Sequence, residues 1–386
     1  ALRLRSGRAW LTAVLLILGA GLLLSLAFRG PWNDAGGGAT LAETEDIPIF
    51  LPLIVKGPPG CTVDPYLPLV VQRTMELDLD GWDWDSGVAL YGLMRAWQCT
   101  GERSYFDFVR AWVDERLREG IPLSHVNHAT PGLAALMLYE ETGEEAYLGA
   151  AQQIADFLLY GAPRSQDGGF LHWEDQLWVD TLFVTTPFLA RLGRVTGEAA
   201  LYDEAADQIL IHAHHLQDPA TGLFHHGWDQ SQDSNMSAAF WGRGNGWGAM
   251  ACAEVLDLLP PDHPQRAAIA DILARQIQGM VALQDESGRW HTVVDHPEFY
   301  LETSATEAMA YAMKMALRQG VIGSEYNWPA TRALLAVQAQ IASDGTVQGV
   351  SAGTGVQPTI EDYNRIPHQD IQLWGQGFYL MLASEE

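Results

Sequence analysis

Residues 86–102 read SGVALYGLMRAWQCTGE, an apolar run of helical period that stops on Thr100-Gly101-Glu102. The arrangement returns at 132–144 (GLAALMLYEETGE) and at 181–198 (TLFVTTPFLARLGRVTGE). Glycine just past the last apolar residue is a helix stop signal. Each TGE is followed by another helical segment rich in Ala, Leu and Tyr or Phe. LLPPDHP at 258–264 and RQGVIGSEYNWP at 318–329 occupy the equivalent place later in the chain. A second, longer punctuation closes each helix pair. It reads Gln166-Asp167-Gly168-Gly169-Phe170-Leu171-His172, then Gln217-Asp218 with Gly222-Leu223-Phe224-His225, then Gln284-Asp285 with Gly288-Arg289-Trp290-His291, then Ser343-Asp344-Gly345-Thr346-Val347. The unit is therefore helix, short turn, helix, long loop, with a period of about 40 to 60 residues, which is the signature of repeated helical hairpins. Stretches that alternate with period two are few, so strands are scarce. About twelve helices make six hairpins, and the all-α fold expected is a closed (α/α)6 barrel, with an open solenoid as the alternative. The last helix, WGQGFYLMLA, carries no polar cap repeat, which favours closure. Either way the long loops gather at one end, where function is expected.

Composition narrows the ligand. The 386 residues carry 22 Lys and Arg against 48 Asp and Glu, a formal net charge of −26. That surplus of acid excludes nucleic acid as a partner and disfavours docking on an anionic membrane face. With 48% hydrophobic residues the chain can build a large core. Fourteen Trp, 12 Tyr and 38 Gly suit a carbohydrate cleft, where rings stack on sugar faces, though the same Trp could fill a big core.

The first 65 residues read as an address and a tether. Residues 10–28, WLTAVLLILGAGLLLSLAF, contain no charge and, at about 1.5 Å per residue, are long enough to cross a bilayer core. Arg3, Arg5 and Arg8 precede the run, while Asp34, Glu43, Glu45 and Asp46 follow it. Positive residues stay cytoplasmic, so the bulk of the chain is expected to be exported, extracellular or held on the outer side of the cytoplasmic membrane. Residues 1–30 fit a cleaved signal peptide or an uncleaved anchor that contacts the membrane. Residues 31–65 fit a mostly irregular linker, and residues 66–386 the barrel, expected as a monomer or weak oligomer. Three cysteines give no disulfide framework. A Cys61–Cys99 bridge suits an exported protein, and isolated buried thiols fit equally.

The unusual residues sit where loops enter helices. Asp180, in Gln176-Leu177-Trp178-Val179-Asp180-Thr181-Leu182-Phe183, opens a very apolar helix. It is either a charge on the helix dipole or a general acid whose pKa apolar neighbours raise. In Trp241-Gly242-Arg243-Gly244-Asn245-Gly246-Trp247 three glycines permit close backbone approach, and Arg243 lies between two Trp. Arginine is the fork that grips a carboxylate, although an ion pair to a loop acid is the plainer use. Phe224-His225-His226-Gly227-Trp228-Asp229 offers a loop histidine to a substrate hydroxyl or a proton. The His-Ala-His-His run at 212–215 lacks the partners of a metal site. Tyr300-Leu301-Glu302-Thr303-Ser304-Ala305-Thr306 reads as a capped helix entry.

Together, WGRGNGW, FHHGWD, QLWVD with TLFVTTPFLARL, and YLETSATEAMAYAM resemble the unsaturated rhamnogalacturonyl hydrolases of glycoside hydrolase family 105, over roughly residues 67–382. The resemblance implies an (α/α)6 barrel with neither metal nor organic cofactor. It implies oligosaccharide substrates, left by polysaccharide lyases, that carry a Δ4,5-unsaturated uronic acid at the non-reducing end. The family reaction hydrates that vinyl ether: an Asp protonates C4 and assists water addition at C5, and the hemiketal opens to release the sugar. By match of motif the acid is Asp180, the carboxylate-contacting arginine Arg243, the stacking ring Trp247 and the histidine His226. Trp84, in Trp82-Asp83-Trp84-Asp85-Ser86-Gly87, matches a wall of the site; Trp178 and Trp241 flank its key residues, and His172 is placed loosely. Where the family has a second aspartate before an N-P-G-like turn, this chain has Val126-Asn127-His128-Ala129-Thr130-Pro131-Gly132, so Asn127 or His128 stands in its place.

Two other functions fit the same residues. One is an ordinary inverting glycosidase that pairs Asp180 with Asp83, Asp85, Asp229 or Asp295. The other is a tethered surface protein that binds glycans without turnover.

Overall fold

The computed structural model describes residues 55–56 and 61–385. The chain divides into two compact units, 1–51 and 52–386. The charge-free run and most of the expected linker lie outside the described residues.

Within the second unit the helices are α1 (Leu67–Met75), α2 (Trp84–Thr100), α3 (Arg103–Glu119), α4 (Pro131–Thr142), α5 (Glu145–Asp156), α6 (Asp180–Thr196) and α7 (Ala199–Leu216). They continue as α8 (Gly242–Leu258), α9 (Arg266–Ala282), α10 (Thr303–Arg318), α11 (Asn327–Gln338), the one-turn α12 (Ile360–Tyr363) and α13 (Leu373–Ser384). Helices α2, α4, α6, α8, α10 and α13 each pack against the next in that order, and α13 packs back on α2. The ring is closed. Burial separates its two layers. In α6 every residue from Thr181 to Gly193 is buried, as expected of a helix walled in on all sides. In α3 only Phe106, Val109, Trp112 and Val113 are buried, one stripe of an amphipathic helix.

The TGE turns have a mechanical explanation. Gly101, Gly143 and Gly197 end α2, α4 and α6 in the left-handed conformation, which costs glycine little. The threonine before each donates its hydroxyl back to the carbonyl four residues earlier and accepts from the glutamate N–H two residues on. One residue thus ends a helix and starts the turn.

The sixth hairpin departs from the expected order. It is built from both ends of the domain, with α1 packed outside α13. The long loop at 343–347 shows the closure: a Cβ on Gly345 would come within 2.3 Å of the Leu69 carbonyl in α1. The N-terminal flank is also more ordered than a linker. Val55–Lys56 pairs antiparallel with Thr62–Val63, and Cys61 is disulfide-bonded to Cys99 at the end of α2. Asp64 accepts hydrogen bonds from the Tyr379 hydroxyl and the Gln338 amide, at 2.6 Å each. Cys252 is a free, buried thiol, which burial pushes up to about 12. Among the described residues no helix is long and apolar enough to cross a membrane.

Candidate active site

The first turns of the inner helices α2, α6 and α8 line a cleft of about 260 Å³ at one end of the ring. Its walls include Trp84 from α2, Asn127 from the short turn before α4, Asp180 from α6, and Arg243 and Trp247 from α8. Loop residues complete it: His172, Trp173 and Trp178 on one side, Trp241, Gly353, Thr354 and Gly355 on the other.

Rings form most of the enclosure. Trp178 stacks on His172 at 4.5 Å, nearly parallel. Trp84 packs against Trp374 and stands edge-on to Trp247. The indole N–H of Trp247 is buried with no hydrogen-bond partner among the described residues. Burial pushes His172 down to about 3, so its imidazole is neutral, with Nδ1 2.9 Å from the Thr181 hydroxyl.

Asp180 is the first residue of α6 and the one carboxylate among the residues lining the cleft. Its Oδ2 lies 3.2 Å from Nε2 of the fully buried His226, and neither atom has another hydrogen-bond partner among the described residues. Burial alone would raise the Asp180 carboxyl, as its apolar flanks led us to expect. His226 above all, with Arg243 a weaker contribution, outweighs burial and holds it below the usual carboxylate range. The resting side chain is an anion.

Arg243 reaches the cleft but is only 1% exposed. Its guanidinium donates to the Ser304 and Ser351 hydroxyls, to the carbonyls of Ser351 and Ala352, and to the Thr354 hydroxyl. Glu302 stands 3.7 Å behind it. The structure shows the plainer use of Arg243: it is paired with Glu302, and its bonds fix the wall formed by 351–354. Glu302 does cap α10 by accepting from the Ala305 N–H, and it also receives the Ser351 N–H.

Asn127, not His128, faces the cleft. The His128 ring turns away and accepts from the Ser124 N–H, because its backbone carbonyl is fixed by the Trp82 indole. His226 lies beneath the cleft floor, against Trp241 at 4.2 Å. Asp83, Asp85, Asp229 and Asp295 are all absent from the lining. Asp83 caps α2, Asp85 accepts from the Ser86 N–H and Asp229 holds its own loop. His212 is bonded to the Gln208 carbonyl and His215 to Asp167; no group of metal-ligating side chains occurs among the described residues. Sequence reasoning missed Gly353, Thr354, Gly355 and Tyr363, since VSAGTG at 350–355 matches no motif with a mechanism of its own.

A ring of indoles around a single acid, at the open end of a double-layered helical barrel, is the architecture of an enzyme that works on sugars. The chain belongs to Glycosyl Hydrolase Family 88, whose profile matches residues 70–386. It is 36% identical to the unsaturated rhamnogalacturonyl hydrolase YesR of Bacillus subtilis, over 82% of this chain and 92% of that protein. An unsaturated 3S-rhamnoglycuronyl hydrolase of Alteromonas is 25% identical, over 78% and 76% of the two chains. Among solved structures, a possible member of glycoside hydrolase family 105 from Salmonella enterica superposes with a TM-score of 0.79 at 30% identity, covering 83% of this chain and 92% of that one.

Proposed function

We propose that this glycoside hydrolase removes a Δ4,5-unsaturated uronic acid, an unsaturated galacturonyl residue, from the non-reducing end of lyase-made pectin oligosaccharides. The observation that carries the reading is that Asp180 is the sole carboxylate lining the cleft among the described residues. Inverting hydrolysis of a saturated glycoside needs two carboxyl groups about 6.5–9.5 Å apart. Hydration of a vinyl ether needs one. Protonated Asp180 gives its proton to C4, water adds at the cationic C5, and the Asp180 carboxylate takes the proton that water sheds. The resulting hemiketal opens and the sugar leaves.

The low resting pKa of Asp180 fits this cycle. An anionic uronate entering beside it is a like charge, which pushes the carboxyl up and loads it with a proton. Binding that uronate in a protein of net charge −26 needs a local counter-field. Arg243 supplies a fixed positive charge, and the first turns of α2, α6, α8 and α13 present their positive dipole ends at the same place. Trp84, Trp178, Trp241 and Trp247 serve as sugar walls, with His172 and Asn127 as polar contacts. The Cys61–Cys99 bridge and the charge-free run at 10–28 both support export, because disulfides persist in oxidising compartments.

The test is a panel of unsaturated disaccharides made by polysaccharide lyases, followed by loss of vinyl-ether absorbance. Turnover of at least one supports the reading. No loss across the panel, with activity on saturated glycosides instead, overturns it.

A further inference from the structure

The segment 350–367 lies over the site, and one of its residues reaches beneath the floor. Tyr363 ends α12 and is fully buried. Its hydroxyl oxygen lies 2.7 Å from His226 Nδ1 and accepts the Gln357 N–H at 3.2 Å. The other ring nitrogen of His226 faces Asp180 at 3.2 Å. Asp180, His226 and Tyr363 thus form a buried line that starts in the cleft and ends in the C-terminal loop.

The donors and acceptors along this line fix where the protons sit. Asp180 rests as an anion, so an unprotonated Nε2 would place its lone pair against a carboxylate oxygen. Among the described residues neither atom has a second partner to relieve that clash. Nε2 must therefore carry hydrogen. If the ring carries a single hydrogen, the other nitrogen is then an acceptor, and the group beside it donates. The phenol is suited to this: burial pushes it up to about 12, so it keeps its proton. A backbone carbonyl in the same place would have forced the opposite tautomer.

We propose that Tyr363 is a positioning residue for the reaction: its hydroxyl donates to His226 Nδ1 and so keeps the histidine proton on Nε2, aimed at Asp180. The inference rests on the reading of Asp180 as the proton donor. Each time Asp180 gives up its proton, the N–H that meets the new carboxylate is already in place and no buried side chain has to turn. Because Tyr363 belongs to the same segment as Ser351, Ala352 and Thr354, one stretch of chain orients both the acid and Arg243.

The test begins with wild-type protein labelled with 15N-histidine, the His226 signals being identified by their loss in His226→Gln. At neutral pH the His226 imidazole should be protonated at Nε2 and bare at Nδ1. A protonated Nδ1 overturns the proposal, and this measurement needs neither substrate nor any Tyr363 variant. Tyr363→Phe should then lower kcat on a lyase-made disaccharide by about 10- to 100-fold, the scale known for a metal-ligating histidine that loses the group orienting it. KM should stay within about twofold, as for an interaction made only in the transition state. The double variant His226→Gln with Tyr363→Phe should be no slower than His226→Gln alone, since Tyr363 acts only through His226. Independent, multiplying losses would mean a structural role and overturn the proposal. Absence of turnover on every lyase product would sink the functional reading, while the wild-type spectrum would still decide the tautomer.

Discussion

The inner helices have two ends of opposite character. At the cleft end stand Trp84, Asp180, Arg243 and Trp374. Eleven positions further along the same elements (84 to 95, 180 to 191, 243 to 254, 374 to 385) stand Arg95, Arg191, Glu254 and Glu385. Eleven residues are three turns, roughly 16 Å. At this far end the charges answer one another. Glu254 accepts the hydroxyls of Tyr91 and Tyr311 and pairs with Arg95, which also reaches Glu385 at 2.7 Å. Arg318 bridges Glu385 and Asp257, and Arg191 pairs with Glu140. At the cleft end the indole nitrogens of Trp247 and Trp374 are buried with no hydrogen-bond partner among the described residues. At the far end each of these four charges meets one of opposite sign; at the cleft end indole N–H groups stay unmet, as in a site built to meet a ligand.

That contrast predicts a clean separation of effects. Asp180→Asn should lower turnover by about 10²–10⁴-fold or more, the usual cost of losing a positioned proton donor, and leave Tm nearly unchanged. Glu254→Gln should do the reverse. Removing one partner of a buried ion pair strands the other charge, typically at a cost of about 3–5 kcal/mol. Steady-state kinetics and thermal unfolding of the two variants together decide it. If Glu254→Gln abolishes activity at unchanged stability, the two ends are not separate in role.

The disulfide belongs to the far end, since Cys99 closes α2 beside Arg95. Its two cysteines are 38 residues apart. On the chain-entropy account a loop of that size contributes about 4 kcal/mol. The double variant Cys61→Ser with Cys99→Ser should unfold at a lower denaturant midpoint by up to that amount, with kcat/KM intact. A large loss of activity at full stability would tie the bridge to the cleft instead.

Arg243 sharpens the other side. A lysine keeps the charge but cannot make the fork of bonds that holds Ser351, Ala352 and Thr354. Arg243→Lys should raise KM for unsaturated uronides by about tenfold, roughly 1.4 kcal/mol, with a smaller change in kcat. An equal fall in kcat with no change in KM would place Arg243 in the chemical step rather than in the wall.

The sequence disclosed these ends unequally. The TGE turns and the loop glycines set the repeat, because a helix stop is a local event that one residue can signal. Asp180, Arg243 and Trp247 were legible for the same reason: each sits in a loop-to-helix junction with an uncommon local composition. Closure through α1 and α13 was not visible as a pairing, since it joins residues some 300 positions apart. Nor was the sign of the Asp180 shift. Its apolar flanks argue for a raised pKa, whereas His226, 46 residues away, lowers it. Tyr363 and the 351–354 wall carry no motif at all. Their role comes from a loop of small residues laid across helices that begin far away in sequence.

Glu307 lies between the two ends, four residues past Thr303 and four before Tyr311 in α10. It is fully buried, and neither carboxyl oxygen has a hydrogen-bond partner among the described residues. Burial first, and the Glu302 charge second, push its pKa well above the ordinary value. In the folded protein it therefore holds its proton at pH values where the unfolded chain has released it. The unfolded state then binds fewer protons than the native state, and stability falls as pH rises through that window. The contribution is fully present below the ordinary glutamate pKa and is lost as pH climbs through the raised one. Glutamine cannot titrate. Glu307→Gln should thus match wild type in Tm at about pH 4 and gain on it progressively toward pH 8, by about 1.4 kcal/mol for each unit of pKa displacement spanned. A Tm difference that stays constant across this range would show that the carboxyl is ionised and solvated when folded. In that case water would reach inward from the cleft to the middle of the ring.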